Sequence, residues 1–117
     1  QNFQVSADVT QLQQVLLNLI MNAVDAMREL TAQERVLCIA VSQDRIGTVC
    51  FRVEDNGLGI PLGKEAQLFN AFFSTKPNGL GMGLAISRSI VENHGGRLWF
   101  DHQRTTGACF MFTIPNE

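Results

Sequence analysis

Asn18, Asn22 and Asp25 stand at i, i+4 and i+7, so on a helix they form one stripe of two amides and a carboxylate. Oxygens of this kind are hard donors, and a hydrated Mg2+ takes few of them from a protein. The stripe borders an apolar face, beside Val15 and Ala26, where polar amides need partners. The polar flank of any amphipathic helix shows the same pattern. A second constellation, Asp55-Asn56-Gly57-Leu58-Gly59-Ile60-Pro61, follows a run in which Val49, Phe51, Val53 and Asp55 share parity. On a strand this turns the Asp55 carboxylate to the apolar side, where it must be hydrogen-bonded. The exocyclic amino group of an adenine is one donor that fits, and Gly57 and Gly59 would let the backbone pass close to a flat ring. Asp-Asn-Gly is also strong turn chemistry. The third is Gly79-Leu80-Gly81-Met82-Gly83-Leu84. Closely spaced glycines before a helix can cradle phosphates with backbone N–H groups and the helix dipole, and Lys76 is the cation close to this run. It is neither G-x-x-x-x-G-K-[ST] nor a G-x-G-x-x-G directly after a strand, and a flexible hinge would look similar.

The elements that must position these residues follow from periodicity. Phe3 to Ala7 reads as a short extended segment. A helix is expected from about Asp8 to Leu30, because Leu12, Val15, Leu16, Leu19, Ala23, Ala26, Met27 and Leu30 recur at three- and four-residue steps; Ser6 or Asp8 can cap it. Val36 to Gln43 and Thr48 to Asp55 alternate and are joined by Asp44-Arg45-Ile46-Gly47, an antiparallel hairpin. Asn56 to Gly83, glycine-rich with Pro61 and Pro77, reads as a long functional loop with one helical turn near Glu65 to Phe69. A second helix is expected from about Met82 to His94, stopped by Gly95-Gly96. Arg97 to His102 and Ala108 to Ile114 complete the chain as strands turning through Thr105-Thr106-Gly107. This order suits an α+β two-layer sandwich, a mixed, mostly antiparallel sheet covered on one face by helices.

Composition narrows the function classes. The chain has 117 residues, 45% of them hydrophobic and 17% charged, enough for one packed domain. A net charge of -2 gives no footprint for nucleic acid or anionic lipid, and the longest apolar stretch, Val15 to Met21, is interrupted by Asn18 and too short to span a bilayer. Neither nucleic acid nor direct membrane contact is therefore expected, and the domain is expected to be a monomer. Cys38, Cys50 and Cys109 have no C-x-x-C spacing and sit in apolar strand-like runs, which fits buried thiols in a reduced, cytoplasmic setting. The chain opens at Gln1 without a signal-like segment and reads as a piece of something longer.

Asn18-Leu19-Ile20-Met21-Asn22-Ala23, Asp55-Asn56-Gly57-Leu58-Gly59-Ile60, Phe69-Asn70-Ala71-Phe72-Phe73 and Gly79-Leu80-Gly81-Met82-Gly83-Leu84 occur in that order. They resemble the N, G1, F and G2 boxes of the histidine-kinase ATPase fold, the Bergerat fold shared with gyrase-type ATPases. Ile90-Val91-Glu92-Asn93-His94-Gly95-Gly96 and Gly107 to Pro115 are similar to the same family, so the resemblance covers essentially the whole chain. Phe73-Ser74-Thr75-Lys76 leading soon into Gly79 resembles the short-lid kinases related to nitrogen, oxygen and dicarboxylate sensors.

The resemblance implies an ATP-dependent protein histidine kinase domain with ATP and Mg2+ as its ligands. Asn22 would ligate the metal with Asn18 in support, and Asp55 would receive the adenine amino group. Ala26, Ile60, Leu80 and Leu84 would wall the base. Gly79, Gly81 and Gly83, with Met82 between them, would hold the lid against the triphosphate. Thr75 and Lys76 would reach phosphate oxygens, and Phe69 and Phe72 would anchor the lid. Asp25 would lie near the phosphates, and Thr113 would hold a water shared with Asp55. Hydrolysing relatives of the fold place a glutamate where Asn18 stands, and an amide cannot take a proton at neutral pH; slow autonomous hydrolysis is the expectation. Neither His94 nor His102 has the setting of a phosphoacceptor. The acceptor is expected on a dimeric helical domain of the same protein, with a response-regulator receiver domain downstream. Two other readings keep the fold: a nucleotide-sensing module without transfer, and an anti-sigma-type serine kinase.

Overall fold

The computed structural model describes residues 8–57, 83–101 and 107–115. Helix α1 runs Val9–Ala26, with Asp8 as N-cap in an extended conformation, its carboxylate accepting from the Gln11 N–H at 3.1 Å. Val15, Leu19, Ala23 and Met27 are buried along one face, as the three- and four-residue spacing requires. The helix stops four residues short of the expected Leu30. Arg35, which lies beyond it in sequence, donates from Nε to the Met27 and Leu30 carbonyls, both at 3.0 Å, and from its terminal nitrogen to Arg28 O at 3.2 Å. A guanidinium there satisfies the carbonyls of the turn that follows the helix.

Strand β1 (Leu37–Gln43) and strand β2 (Val49–Asp55) form the expected antiparallel hairpin, in which the Asp44 carboxylate accepts from the Ile46 and Thr48 N–H groups. Helix α2 (Gly83–Asn93) ends where Gly95 turns left-handed at φ +81°, a conformation that an L side chain rarely adopts. Strands β3 (Arg97–Phe100) and β4 (Ala108–Ile114) follow, and the sheet order is β1-β2-β4-β3 with every described pair antiparallel.

Both helices lie on the face of the sheet that carries Val53, Leu98, Phe100, Phe110, Phe112 and Ile114, which pack with Val15, Leu19, Ala23 and Val91 into one core. Phe51 stacks on Phe112 with ring centroids 4.6 Å apart. Each fully buried side chain such as Phe112 contributes about 1.5–3 kcal/mol relative to exposure. The other face is mixed: Cys109 and Met111 lie beside Glu54 and Arg52, which pair with each other, and the Arg97 guanidinium lies 4.9 Å from the Trp99 ring centroid. The expectation of uniformly buried thiols fails. All three lie on the face away from the helices: Cys109 is buried, Cys50 is half-buried with its thiol pushed up by desolvation, and Cys38 is exposed on the edge strand β1.

Two helix termini meet at His94. Its Nε2 accepts from the Asp8 N–H at 3.1 Å while its Nδ1 lies 2.8 Å from Ile90 O. A carbonyl only accepts, so Nδ1 carries the proton and the ring is the neutral Nδ1–H tautomer. Both ring nitrogens are engaged in holding the start of α1 to the end of α2.

Candidate functional site

At the C-terminal end of β2 the apolar row Val49, Phe51, Val53 terminates in Asp55, which is only 5% exposed. Strand alternation places it on the helix-covered side of the sheet. Its Oδ1 accepts from the Gly57 N–H at 2.8 Å. The Asx-type turn and the buried carboxylate are thus one feature: the turn chemistry that bends the chain after β2 also fixes the acid in place.

The turn is pressed against the end of α1. A Cβ on Gly57 would lie 2.3 Å from the Ala26 carbonyl oxygen, so close approach of two backbones requires glycine here. Asn56 secures the other side, accepting from the Val36 N–H at 2.9 Å and donating to Glu34 O at 2.7 Å. In the same loop, hydrogen bonds from the Thr31 N–H and hydroxyl hold the Glu34 carboxyl below its ordinary range.

Asn18, Asn22, Asp25 and Ala26 are all half-buried on α1, the first three sharing one stripe by helical geometry. Asn18 also reaches α2, donating from Nδ2 to Gly83 O at 3.3 Å and to the Ser87 hydroxyl at 3.0 Å. Leu84 packs against the core. The structure therefore brings Ala26, Asp55 and Gly57 together at one end of the helix layer, and joins Asn18 to Gly83 where the glycine-rich run enters α2. Gly59, Ile60, Thr75, Lys76, Gly79, Leu80, Gly81 and Met82, with Phe69 and Phe72, lie outside the described residues.

Thr113 does not belong with them. Strand register sets it opposite Cys50 and Arg97, five residues along β4 from the partner of Asp55, which is about 17 Å. It also lies on the outer face, where its hydroxyl accepts from the Arg97 N–H at 3.2 Å. The residue opposite Asp55 is Ala108, which has no hydroxyl to share a water. Three contributors were missed from sequence. Arg35 braces the turn after α1, and Asn56 braces the turn after β2 through its side chain. Ser87 carries a signal that could have been read: it interrupts the row Leu84, Ser87, Val91 at i, i+3, i+7, and a hydroxyl among apolar residues demands a partner.

Asn22 carries one amide oxygen on this stripe, one turn from Asn18 and near Asp25. A hard donor set of this size fits Mg2+ that keeps water and phosphate oxygens in the rest of its shell.

The chain belongs to the histidine kinase-, DNA gyrase B-, and HSP90-like ATPase family, whose model matches residues 7–117. Within that family its relatives are sensor histidine kinases. It is 41% identical over 112 residues to the sensor histidine kinase TmoS of Ectopseudomonas mendocina, covering 95% of this chain and 12% of that protein. The catalytic domain of the histidine kinase ThkA superposes with a TM-score of 0.80 at 37% identity, covering 96% of this chain and 70% of that one. Full-length ShkA, solved in complex with AMPPNP, superposes with a TM-score of 0.75 at 32% identity over 90% of this chain and 21% of that one. The antiparallel sheet with two helices on one face is the Bergerat fold of these neighbours. Among the described residues no helix is long and apolar enough to cross a membrane.

Proposed function

We propose that the chain binds Mg·ATP and donates the γ-phosphoryl group to a histidine on a separate dimeric helical domain of its parent protein, within two-component signalling that passes to a response-regulator receiver domain. The observation that carries this reading is the buried Asp55, held by its own turn on the helix side of the sheet beside Ala26. A carboxylate in that position discriminates a base with an exocyclic amino group, because an acceptor turned toward a donor is rewarded and a mismatch leaves buried charge unsatisfied.

Asn22 would hold the metal, with Asn18 and Asp25 beside it; when bound, Mg2+ neutralises charge on the phosphate oxygens. Ala26 and Leu84 would contact the base, and Thr75, Lys76 and the run from Gly79 to Gly83 would close over the phosphates. This half of the reaction needs positioning and charge compensation more than covalent chemistry. In the transfer, the bond from the γ-phosphorus to the bridging oxygen breaks, a phosphorus–nitrogen bond forms, and ADP leaves. The imidazole proton goes to a base on the helical domain, since Asn18 cannot take it. His94 is unsuited as acceptor, with both ring nitrogens engaged. Leu17, Met21 and Val24 are exposed at i, i+4, i+7 beside the asparagine stripe, an apolar strip for a helical partner approaching the phosphates. The chain spans 12% of TmoS, which leaves room in such a parent for the helical and sensing parts. A cytoplasmic setting follows from a reaction that draws on ATP.

The deciding experiment incubates the chain with γ-labelled ATP, Mg2+ and the helical histidine domain of its parent. Acid-labile label on the helical domain, with slow ADP release by the chain alone, is the expected result. Saturable binding without transfer would leave a nucleotide sensor, and rapid hydrolysis by the chain alone would contradict the role given to Asn18.

A further inference from the structure

Ser87 is 0% exposed, one of two buried polar residues among those described. It occupies a position in α2 where alanine would serve the helix and the packing at least as well. Its hydroxyl instead meets Asn18 Nδ2 at 3.0 Å, and the same nitrogen donates to Gly83 O at 3.3 Å. Gly83 O can only accept, so the amide has one permitted orientation, with the NH2 toward α2 and Oδ1 away from it. There Oδ1 accepts from Gln14 Nε2 at 3.0 Å, on the same helical row as Asn22 one turn on. Both hydrogens of the Asn18 amide are committed to α2, one to a buried hydroxyl and one to the first residue of the helix.

We infer that Ser87 is a positioning residue for the nucleotide site: by fixing the Asn18 amide it pins the α2 start, where the glycine-rich run ends, to α1 one turn before Asn22. The inference rests on the proposed Mg·ATP reading and adds to it a link between the metal side of the site and the start of α2. Ser87 is fully buried against Asn18 and acts through it, so its removal should be felt in the metal-dependent part of ATP binding and not where adenine binds.

The test is calorimetric titration of the chain with ATP plus Mg2+, ATP plus chelator, and adenosine. Ser87→Ala should weaken Mg·ATP about fivefold to tenfold, the scale of one lost hydrogen bond, and leave adenosine and metal-free ATP within about twofold. Ser87→Thr, which keeps the hydroxyl, should restore most of the Mg·ATP affinity. In Asn18→Ala the Ser87→Ala change should add nothing further, because the two act as a unit. If Ser87→Ala is unstable, Ser87→Cys makes the same comparison with a weaker partner of similar volume. Equal weakening for all three ligands, no weakening at all, or additive effects in the double variant would overturn the inference. Failure of the unaltered chain to bind Mg·ATP would instead overturn the reading beneath it.

Discussion

Glu54 and Asp55 are adjacent in one strand and carry the same charge, yet the pleat sends them to opposite faces of the sheet. Glu54 meets Arg52 at 3.2 Å, in a pair whose arginine side chain is 49% exposed. Asp55 is enclosed against α1 and takes its hydrogen bond from the turn that follows it. Glu54 is half-buried at 24% side-chain exposure, and an ion pair with so exposed an arginine has small net value. A carboxylate held rigid in a low-dielectric recess is costly to maintain, and a fold retains such a group where recognition depends on it. Environment alone separates the two roles.

The largest expected break in this contrast is Asp55→Asn. The amide oxygen can still accept from the Gly57 N–H, so the fold should persist, but one acceptor becomes a donor that faces the adenine amino group. Affinity for ATP should fall about 100-fold, as for loss of a hydrogen bond to a buried charge with its partner left unpaired; a retained dissociation constant in a titration would remove Asp55 from the site. Next is Gly57→Ala, whose Cβ would lie 2.3 Å from the Ala26 carbonyl. Urea unfolding should show a loss of about 1–3 kcal/mol as the turn and helix are forced apart, with weaker nucleotide binding; unchanged stability would show that the turn yields freely. Smallest is Glu54→Gln, which should cost no more than about 0.5 kcal/mol and leave ATP affinity as it was. A large affinity loss there would make the outer face the binding face.

The parity that distinguishes these two acids was legible in the sequence, as were the periodicity of α1, the hairpin, and the stop at Gly95. Each is a local pattern, fixed by spacing or by one residue's backbone preference. What lay beyond reading depended on residues far apart in the chain. Beyond the end of α1 at Ala26, Arg35 folds back on the turn and holds the Met27 and Leu30 carbonyls, and periodicity through Leu30 carries no sign of that. The outer-face parity of Thr113 against Phe110, Phe112 and Ile114 was open to reading, but its distance along the strand from Asp55 could be assigned only once the register of β4 on β2, a pairing across more than fifty residues, was known. Ser87 falls between these cases, since its place in an apolar row was visible but its partner Asn18 was not. Exposure of Cys38 follows from an edge position that strand pattern alone cannot distinguish from a central one.

The most direct test of the account is a titration of the isotopically labelled chain with Mg·ATP, followed through its amide resonances. Saturable shifts should concentrate at Gly57, Asn22, Ala26 and the Asn18 side-chain amide, with Arg52, Met111 and Trp99 on the outer face nearly still. Shifts gathered on Arg52, Met111 and Trp99, or none that saturate, would contradict it.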